Sequence, residues 1–529
     1  MKKHLLLVSS LLMGSYAAMA QCPTNPVSGD LIISSDITLS GLYQVSGTFK
    51  IEPGVTVTVE PYTVSNCGSL RVEASKIDIQ GNINADYAGY PGGNAGVGAV
   101  NVSSPTNSQA SLTGCANKDN PGQIVVGGGM AGTAGNGPGA GLAGSNGSTG
   151  SGPKHTGENN GDKYGMVPGS GGAGGGGGGS YGGNGGVGGN GGNGSGTHSG
   201  SGVSINTAYS VLAGIGGPGG LAGSIYGTDS GNDIDLGSGG AGSGGGGRSF
   251  YTGTDGNRGG YGGGAVSLIA SDTLLVSGTI SANGENGLDG GKGANGDKTA
   301  DCCGDACNDL GERTLSSGAG GGAGSGAGSG GGILLEAPLY SAITGILSAN
   351  GGNGGNGGNG GNGRSDSYDG GIFCGTQNTS TGNGTAGQAG GSGSGGRIKI
   401  FTTDCAENIL SPSYSISGGA SADSGTYHNG LNTCFVDYTS IHNQTNEANF
   451  NVFPNPASDI AYIKMHNGNF NQNVTLSVYD NAGRRVWVQN LNGQSGNTVQ
   501  LNVSSFQTGS YIIVLENAQG RSTQKLIKY

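Results

Sequence analysis

Gly81-Asn82-Ile83-Asn84-Ala85-Asp86 returns as Gly278-Thr279-Ile280-Ser281-Ala282-Asn283 and again as Gly345-Ile346-Leu347-Ser348-Ala349-Asn350. Each copy follows an apolar, β-prone run, at residues 70–74, 266–270 and 333–337. A fourth run, Arg397-Ile398-Lys399-Ile400-Phe401, leads to a degenerate copy at Tyr414-Ser415-Ile416-Ser417-Gly418. The unit is therefore strand, short link, strand, and then a glycine-rich excursion. The excursions vary greatly in length while the strands persist, as in a solenoid core with loops on one face. Residues 31–80 add short β-rich runs about every ten residues, without helical periodicity, which predicts an all-β chain.

The excursions have a period of their own. Residues 351–363 read Gly-Gly-Asn four times and then Gly, and residues 182–194 read the same way with Val187 replacing one Asn. A three-residue period without proline suits the threefold polyglycine II helix, which has no internal hydrogen bonds. Every third side chain then lies on one edge, and the two bare glycine edges let neighbouring segments satisfy each other's N–H and C=O groups. Collagen is a poor match because its X and Y positions are proline-rich. A flexible Gly/Asn linker has the same composition; rapid amide exchange across residues 351–363 distinguishes it from a bundle.

Glycine supplies 123 of the 529 residues, and only 10% are charged, against about 25% in an ordinary soluble domain. A net charge of −11 over this length is modest, so backbone pairing rather than charge solvation is expected to order the chain. The acidic balance argues against nucleic acid and anionic membrane surfaces as partners, since both need a basic footprint.

Lys2 and Lys3, an apolar run at 5–13 and Ala18-Met19-Ala20 read as a secretory signal, with cleavage between Ala20 and Gln21. The run is far shorter than the roughly 20 residues that span a bilayer, and no transmembrane segment is expected later. Nine cysteines fit an oxidising compartment with disulfides, and the odd count leaves at least one thiol free or paired between chains.

Residues 47–57, Gly-Thr-Phe-Lys-Ile-Glu-Pro-Gly-Val-Thr-Val, resemble the opening rungs of bacterial parallel β-helix proteins, among which are adhesins and polysaccharide-degrading enzymes. The C-terminal residues change character. Alternation in Val474-Thr475-Leu476-Ser477-Val478 and Val499-Gln500-Leu501-Asn502-Val503, with turn signals between runs, predicts a six- or seven-stranded immunoglobulin-like sandwich. Three motifs there resemble the type A sorting domain of the type IX secretion system. They are Phe453-Pro454-Asn455-Pro456, the run containing Asp480, Gly483 and Val486, and Gly509-Ser510-Tyr511 followed by Lys525. The resemblance implies a Bacteroidota-type host, contact with the secretion machinery, and export across the outer membrane. It further implies removal of the domain afterwards, with the passenger joined to surface lipopolysaccharide or released. Each motif also has a structural role on offer, with prolines fixing a strand entry and glycines opening turns.

The expected organisation is a signal peptide (1–20), β-helix-like rungs (21–86), a glycine-rich region with interspersed strands (87–403), a cap and linker (404–449) and the sorting domain (450–529). No catalytic constellation stands out: no His pair has metal-ligand spacing, and Gly-x-Ser-x-Gly matches are accidents of glycine abundance. Asp301, Asp305 and Asp309, among Cys302, Cys303 and Cys307, are the one weak calcium candidate, against a disulfide-pinned loop tip; no other cofactor is expected. Charges on the strands, Arg71, Glu73, Lys76, Asp78, Asp272, Glu336, Arg397 and Lys399, read as a solvated face rather than a lyase site. The expected product is a secreted or outer-membrane surface protein, adhesin-like or structural, that meets surface polysaccharide or lipopolysaccharide. The alternative is a secreted polysaccharide lyase or hydrolase on a β-helix.

Overall fold

The computed structural model describes residues 22–100, 102–103, 123–153, 165–200, 211–297, 314–369, 376–403, 408–432, 450–465, 474–480, 484–491, 498–517 and 520–529. It divides into two compact units, at residues 1–432 and 433–529. Among the described residues every named element is a strand.

In the first unit, successive chain turns lay down two parallel sheets. The longer sheet runs Thr24–Val27, Gly41–Ile51, Ser69–Ile79, Ala265–Val276, Gly332–Ala337, Arg397–Thr403 and Thr426–Asn432. The shorter runs Ile37–Leu39, Thr56–Val59, Asn82–Asn84, Thr279–Ser281, Ile346–Ser348 and Ser413–Ser415, also parallel. The three quoted hexads therefore stack directly, with Ile83 beside Ile280 and Ile280 beside Leu347. Alternation puts one residue in two into the space between the sheets. There the registers align aliphatic columns: Ile33, Ile51, Ile79, Val276, Ile343 and Leu410 form one, and Leu70, Val266, Ile333 and Ile398 another. All but Leu410, which packs against it at one end, belong to one buried cluster. Full burial of each such side chain is worth about 1.5–3 kcal/mol.

The long strands exceed the runs visible in the sequence. Gly41–Ile51 and Ala265–Val276 each continue through a register shift, between Val45 and Thr48 and between Ala270 and Thr273. Small residues at these bends, Ser46, Gly47 and Ser271, break the apolar alternation that marks a strand.

Between the strands the glycine excursions form a bundle of extended segments cross-linked by their backbones. In segment 317–331 every N–H donates to a different segment. Ala319, Gly322, Ser325 and Gly328 bond the carbonyls of Ala294, Gly291, Leu288 and Glu285. Gly318, Gly321, Gly324, Ala327 and Gly330 bond those of Gly382, Thr385, Gln388, Gly391 and Ser394. Gly320, Ala323 and Ser329 reach a third side, at Ser170, Ala173 and Ser238. Donors that rotate among neighbours with a period of three, and never bond within their own segment, are the signature of a threefold helix.

Side-chain size follows position in the bundle. Segments 169–180, 237–247 and 317–331 are buried throughout and contain only Gly, Ala and Ser. Segment 350–363 lies at an edge: Gly352, Gly355, Gly358 and Gly361 are buried, while Asn353, Asn356, Asn359 and Asn362 are exposed. At the interior glycines a Cβ has nowhere to go; on Gly322 it would overlap the Gly244 carbonyl.

The second unit is a two-sheet sandwich. Phe450–Phe453, Ile460–Met465 and Thr498–Asn502 form one antiparallel sheet. Arg485–Asn490, Thr475–Tyr479, Gly509–Asn517 and Gly520–Lys528 form the other. Phe450, Ile463, Leu476, Val478, Leu501, Ile513 and Leu526 are among the buried side chains between them.

The contrast between interior and edge predicts that Gly322→Val destabilises the protein by at least about 3 kcal/mol. Asn359→Val, which reproduces the triplet seen at Val187, changes stability by less than about 0.5 kcal/mol. Chemical denaturation of the two variants measures both.

Candidate functional site: the C-terminal motifs and the passenger surfaces

The prolines of Phe453-Pro454-Asn455-Pro456 carry no N–H, so the polar work of this segment falls to the Asn455 amide. Its Nδ2 donates to the Lys525 carbonyl at 2.6 Å, and its Oδ1 accepts from the Ile527 N–H at 2.8 Å. Ala457 N–H donates to the Ile527 carbonyl at 2.9 Å, and Tyr529 N–H to the Ala457 carbonyl at 3.1 Å. The first motif is thus fastened along the final strand that carries Lys525, seventy residues further on. Phe453 stacks on Tyr462 at 5.9 Å between ring centroids, with both rings exposed.

Asp480 closes the second motif. Arg484 N–H and Nε both donate to its carboxylate at 2.9 Å, and the Asp480 N–H returns a bond to the Arg484 carbonyl at 3.0 Å. Gly483 lies outside the described residues, and Val486 is exposed on the adjoining strand. In the third motif Gly509 opens its strand. Tyr511 is buried beside Phe506, its hydroxyl donating to the Gln507 carbonyl at 2.8 Å. Register places Ile512 opposite Lys525 and Tyr511 opposite Leu526, so the first and third motifs meet on one strand. Asp480 and Val486 share a hairpin. Arg484, Tyr462 and Gln507 were not singled out from sequence; Arg484 had a signal in its spacing from Asp480 across a turn, and the other two had none.

In the passenger, Cys22 and Cys67 are disulfide-bonded, with Cα atoms 5.5 Å apart. Ala20, Gln21, Asp301, Asp305 and Asp309 lie outside the described residues. Arg71 and Glu73 form a surface ion pair at 2.7 Å. The expectation of a solvated face fails at Arg397 and Lys399, which are 2% and 1% exposed. The loop following segment 211–225 covers them. Arg397 pairs with Asp229, donates to the Tyr226 carbonyl at 2.9 Å and lies over the Tyr181 ring. Lys399 Nζ is held by the carbonyls of Gly231 and Asp233, at 2.8 and 2.6 Å, and by Asp233 Oδ1 at 3.0 Å. The Thr228 hydroxyl first, and the Lys399 ammonium with it, hold the Asp233 carboxyl down at about 2. These charges clamp an excursion onto the strand stack.

Asparagines tie neighbouring excursions together. Asp86 Oδ1 accepts from Asn283 N–H at 2.7 Å, Asn283 Oδ1 from Asn350 N–H at 2.8 Å, and Asn350 Oδ1 from Ser417 N–H at 2.8 Å. Parallel rows link Asn286 to Asn353 and Asn295 to Asn362.

The C-terminal unit is, by fold and by its three assembled motifs, an immunoglobulin-like export-signal domain. Residues 451–529 match the family described as secretion system C-terminal sorting domain. They are the sorting domain of a protein exported by the type IX system to the cell surface or the medium. No curated protein matches the chain. Among solved structures, it is similar to a DUF3244 family protein with an immunoglobulin-like β-sandwich fold from Bacteroides vulgatus ATCC 8482. That likeness has 14% identity and a TM-score of 0.14, covering 16% of this chain and 86% of that one. It is also similar to dimeric latent PorU from Porphyromonas gingivalis, at 23% identity and a TM-score of 0.13, covering 15% of this chain and 9% of that one.

Two outcomes follow. Asn455→Ala removes both bonds to the last strand and lowers the stability of the sorting domain by about 1–3 kcal/mol; the passenger should then accumulate in the periplasm, as fractionation of cells will show. In the passenger, a carboxyl depressed in the folded state stabilises it above the group's ordinary value of 3.8 and ceases to do so as pH falls through about 2. Asp233→Asn should therefore flatten the acid limb of the stability profile between those two values, measured by thermal unfolding.

Proposed function

We propose that the passenger is a non-enzymatic, adhesin-like or structural protein that meets neutral polysaccharide through its asparagine rows. The observation that carries this reading is the fixed orientation of the amides. Asn286 Oδ1 accepts from Asn353 N–H at 2.8 Å, Asn295 Oδ1 from Asn362 N–H at 2.9 Å, and Asn353 Oδ1 from Ala420 N–H at 3.0 Å. With these Oδ1 atoms engaged, the NH2 groups of Asn286, Asn295 and Asn353 are the donors left to meet sugar hydroxyl and ring oxygens. Asparagines recur every third residue on exposed positions of segment 350–363, a spacing of about 9 Å at the rise of a threefold helix; within that row the Asn356 amide nitrogen donates instead to Asp289 Oδ1 at 3.2 Å. A rigid, weakly charged row of this kind suits an extended uncharged polymer and loses little entropy on binding.

Co-sedimentation of the full chain with insoluble neutral glycans, together with reducing-sugar and unsaturated-product assays on uronate polymers, tests this. Retention without product release is expected, and Asn353→Ala with Asn359→Ala should weaken retention about tenfold. Release of reducing ends or unsaturated uronates would replace this reading with a secreted lyase or hydrolase.

A further inference from the structure

Segment 211–225 lies along the outside of the glycine bundle. Gly214, Gly217, Gly220 and Gly223 donate to the carbonyls of Gly169, Gly172, Gly175 and Gly178, which turns one third of its residues inward. The residues that follow three of these, Ile215, Pro218 and Leu221, project outward in line with Leu212. Leu212, Ile215 and Leu221 are 56%, 68% and 63% exposed. The flanking segments bond directly to this one, Leu142 N–H to the Leu221 carbonyl and Gly188 N–H to the Gly220 carbonyl. They add Leu142 and Val187, 48% and 62% exposed. Segments 139–148, 184–195 and 211–225 contain no charged residue.

We infer that this apolar ridge is a self-association surface, and that its occupant is the same ridge of a second copy of the chain, related by a two-fold axis. Scattered exposed aliphatics are ordinary, but five in one uncharged patch mark an interaction surface. The partner follows from the repeat. Knobs recur every three residues, about 9 Å at the threefold-helix rise, with glycine or alanine troughs between them. A surface that accepts all the knobs at once must share that repeat, and an antiparallel copy of the ridge has it by construction, as an isologous contact requires. Charge points the same way. Copies of a chain with net charge −11 repel one another, and here they approach without pairing like charges. The same neutrality suits neither an anionic lipid headgroup nor nucleic acid. Asn190 and Asn193 of the flanking segment accept from Gly219 and Gly216 of this one, but the surface is separate from the asparagine rows on 283–297 and 350–363, so its test does not depend on the polysaccharide reading.

Sedimentation velocity on the full chain tests the inference. The wild-type protein is expected to dimerise below about 100 μM, and Ile215→Asp with Leu221→Asp to weaken the dimer at least a hundredfold, a floor below what full burial of two aliphatic side chains on each copy would give. The thermal transition should be unchanged; if it falls, the milder Ile215→Ser and Leu221→Ser pair must still weaken the dimer. Asn359→Asp, on an asparagine row, should leave the dimer intact. A monomeric wild-type protein across this range, or a dimer that survives the ridge substitutions, overturns the inference.

Discussion

Each backbone N–H in the glycine segments must find its acceptor in another segment. A threefold helix makes no internal bonds, and a buried N–H left unpaired costs about 1–3 kcal/mol. Segment 317–331 meets this demand at every residue. Such a bond contributes about 0.5–1.5 kcal/mol net, while ordering one residue's backbone costs about 1–2 kcal/mol, with glycine at the expensive end. The bundle is therefore close to balance by itself and depends on being held in register. The aliphatic columns between the parallel sheets do that. Segments 265–281 and 332–348 stack 67 residues apart, and the excursions that leave them, 283–297 and 350–363, stay in the same register.

Sequence composition then follows from place. A segment with neighbours on all sides can carry only Gly, Ala and Ser, because a larger side chain collides with a carbonyl. A segment at an edge tolerates one free position in three, and this is where Asn, Leu, Ile and Val appear. Both proposed surfaces fall on those free positions: amides on 283–297 and 350–363, aliphatics on 211–225. The interior of the bundle is backbone, so its side chains vary only in rows along the edges.

The hexads and the Gly-Gly-Asn period were legible because both express local geometry, a strand pair and a threefold turn, repeated in phase. Stacking order followed once Ile83, Ile280 and Leu347 were aligned. The clamp at Arg397 and Lys399 was not legible: its partners Asp229 and Asp233 lie more than 160 residues earlier, in an excursion with no periodic signal at that point. A charge on a strand looks solvated until the chain that covers it is placed. In the sorting domain the motifs were legible as motifs, but not the contact between Asn455 and the Lys525 strand, since two prolines advertise a turn and say nothing of what the intervening amide grips.

Residue-resolved amide hydrogen exchange on the folded protein tests most directly whether the glycine segments are an ordered, backbone-bonded bundle. Amides across residues 317–331, and those of Gly352, Gly355, Gly358 and Gly361, should be protected to an extent comparable with strand amides in the 265–276 stretch. Exchange across those glycines at the rate of an unstructured chain, with the strands still protected, would contradict the account.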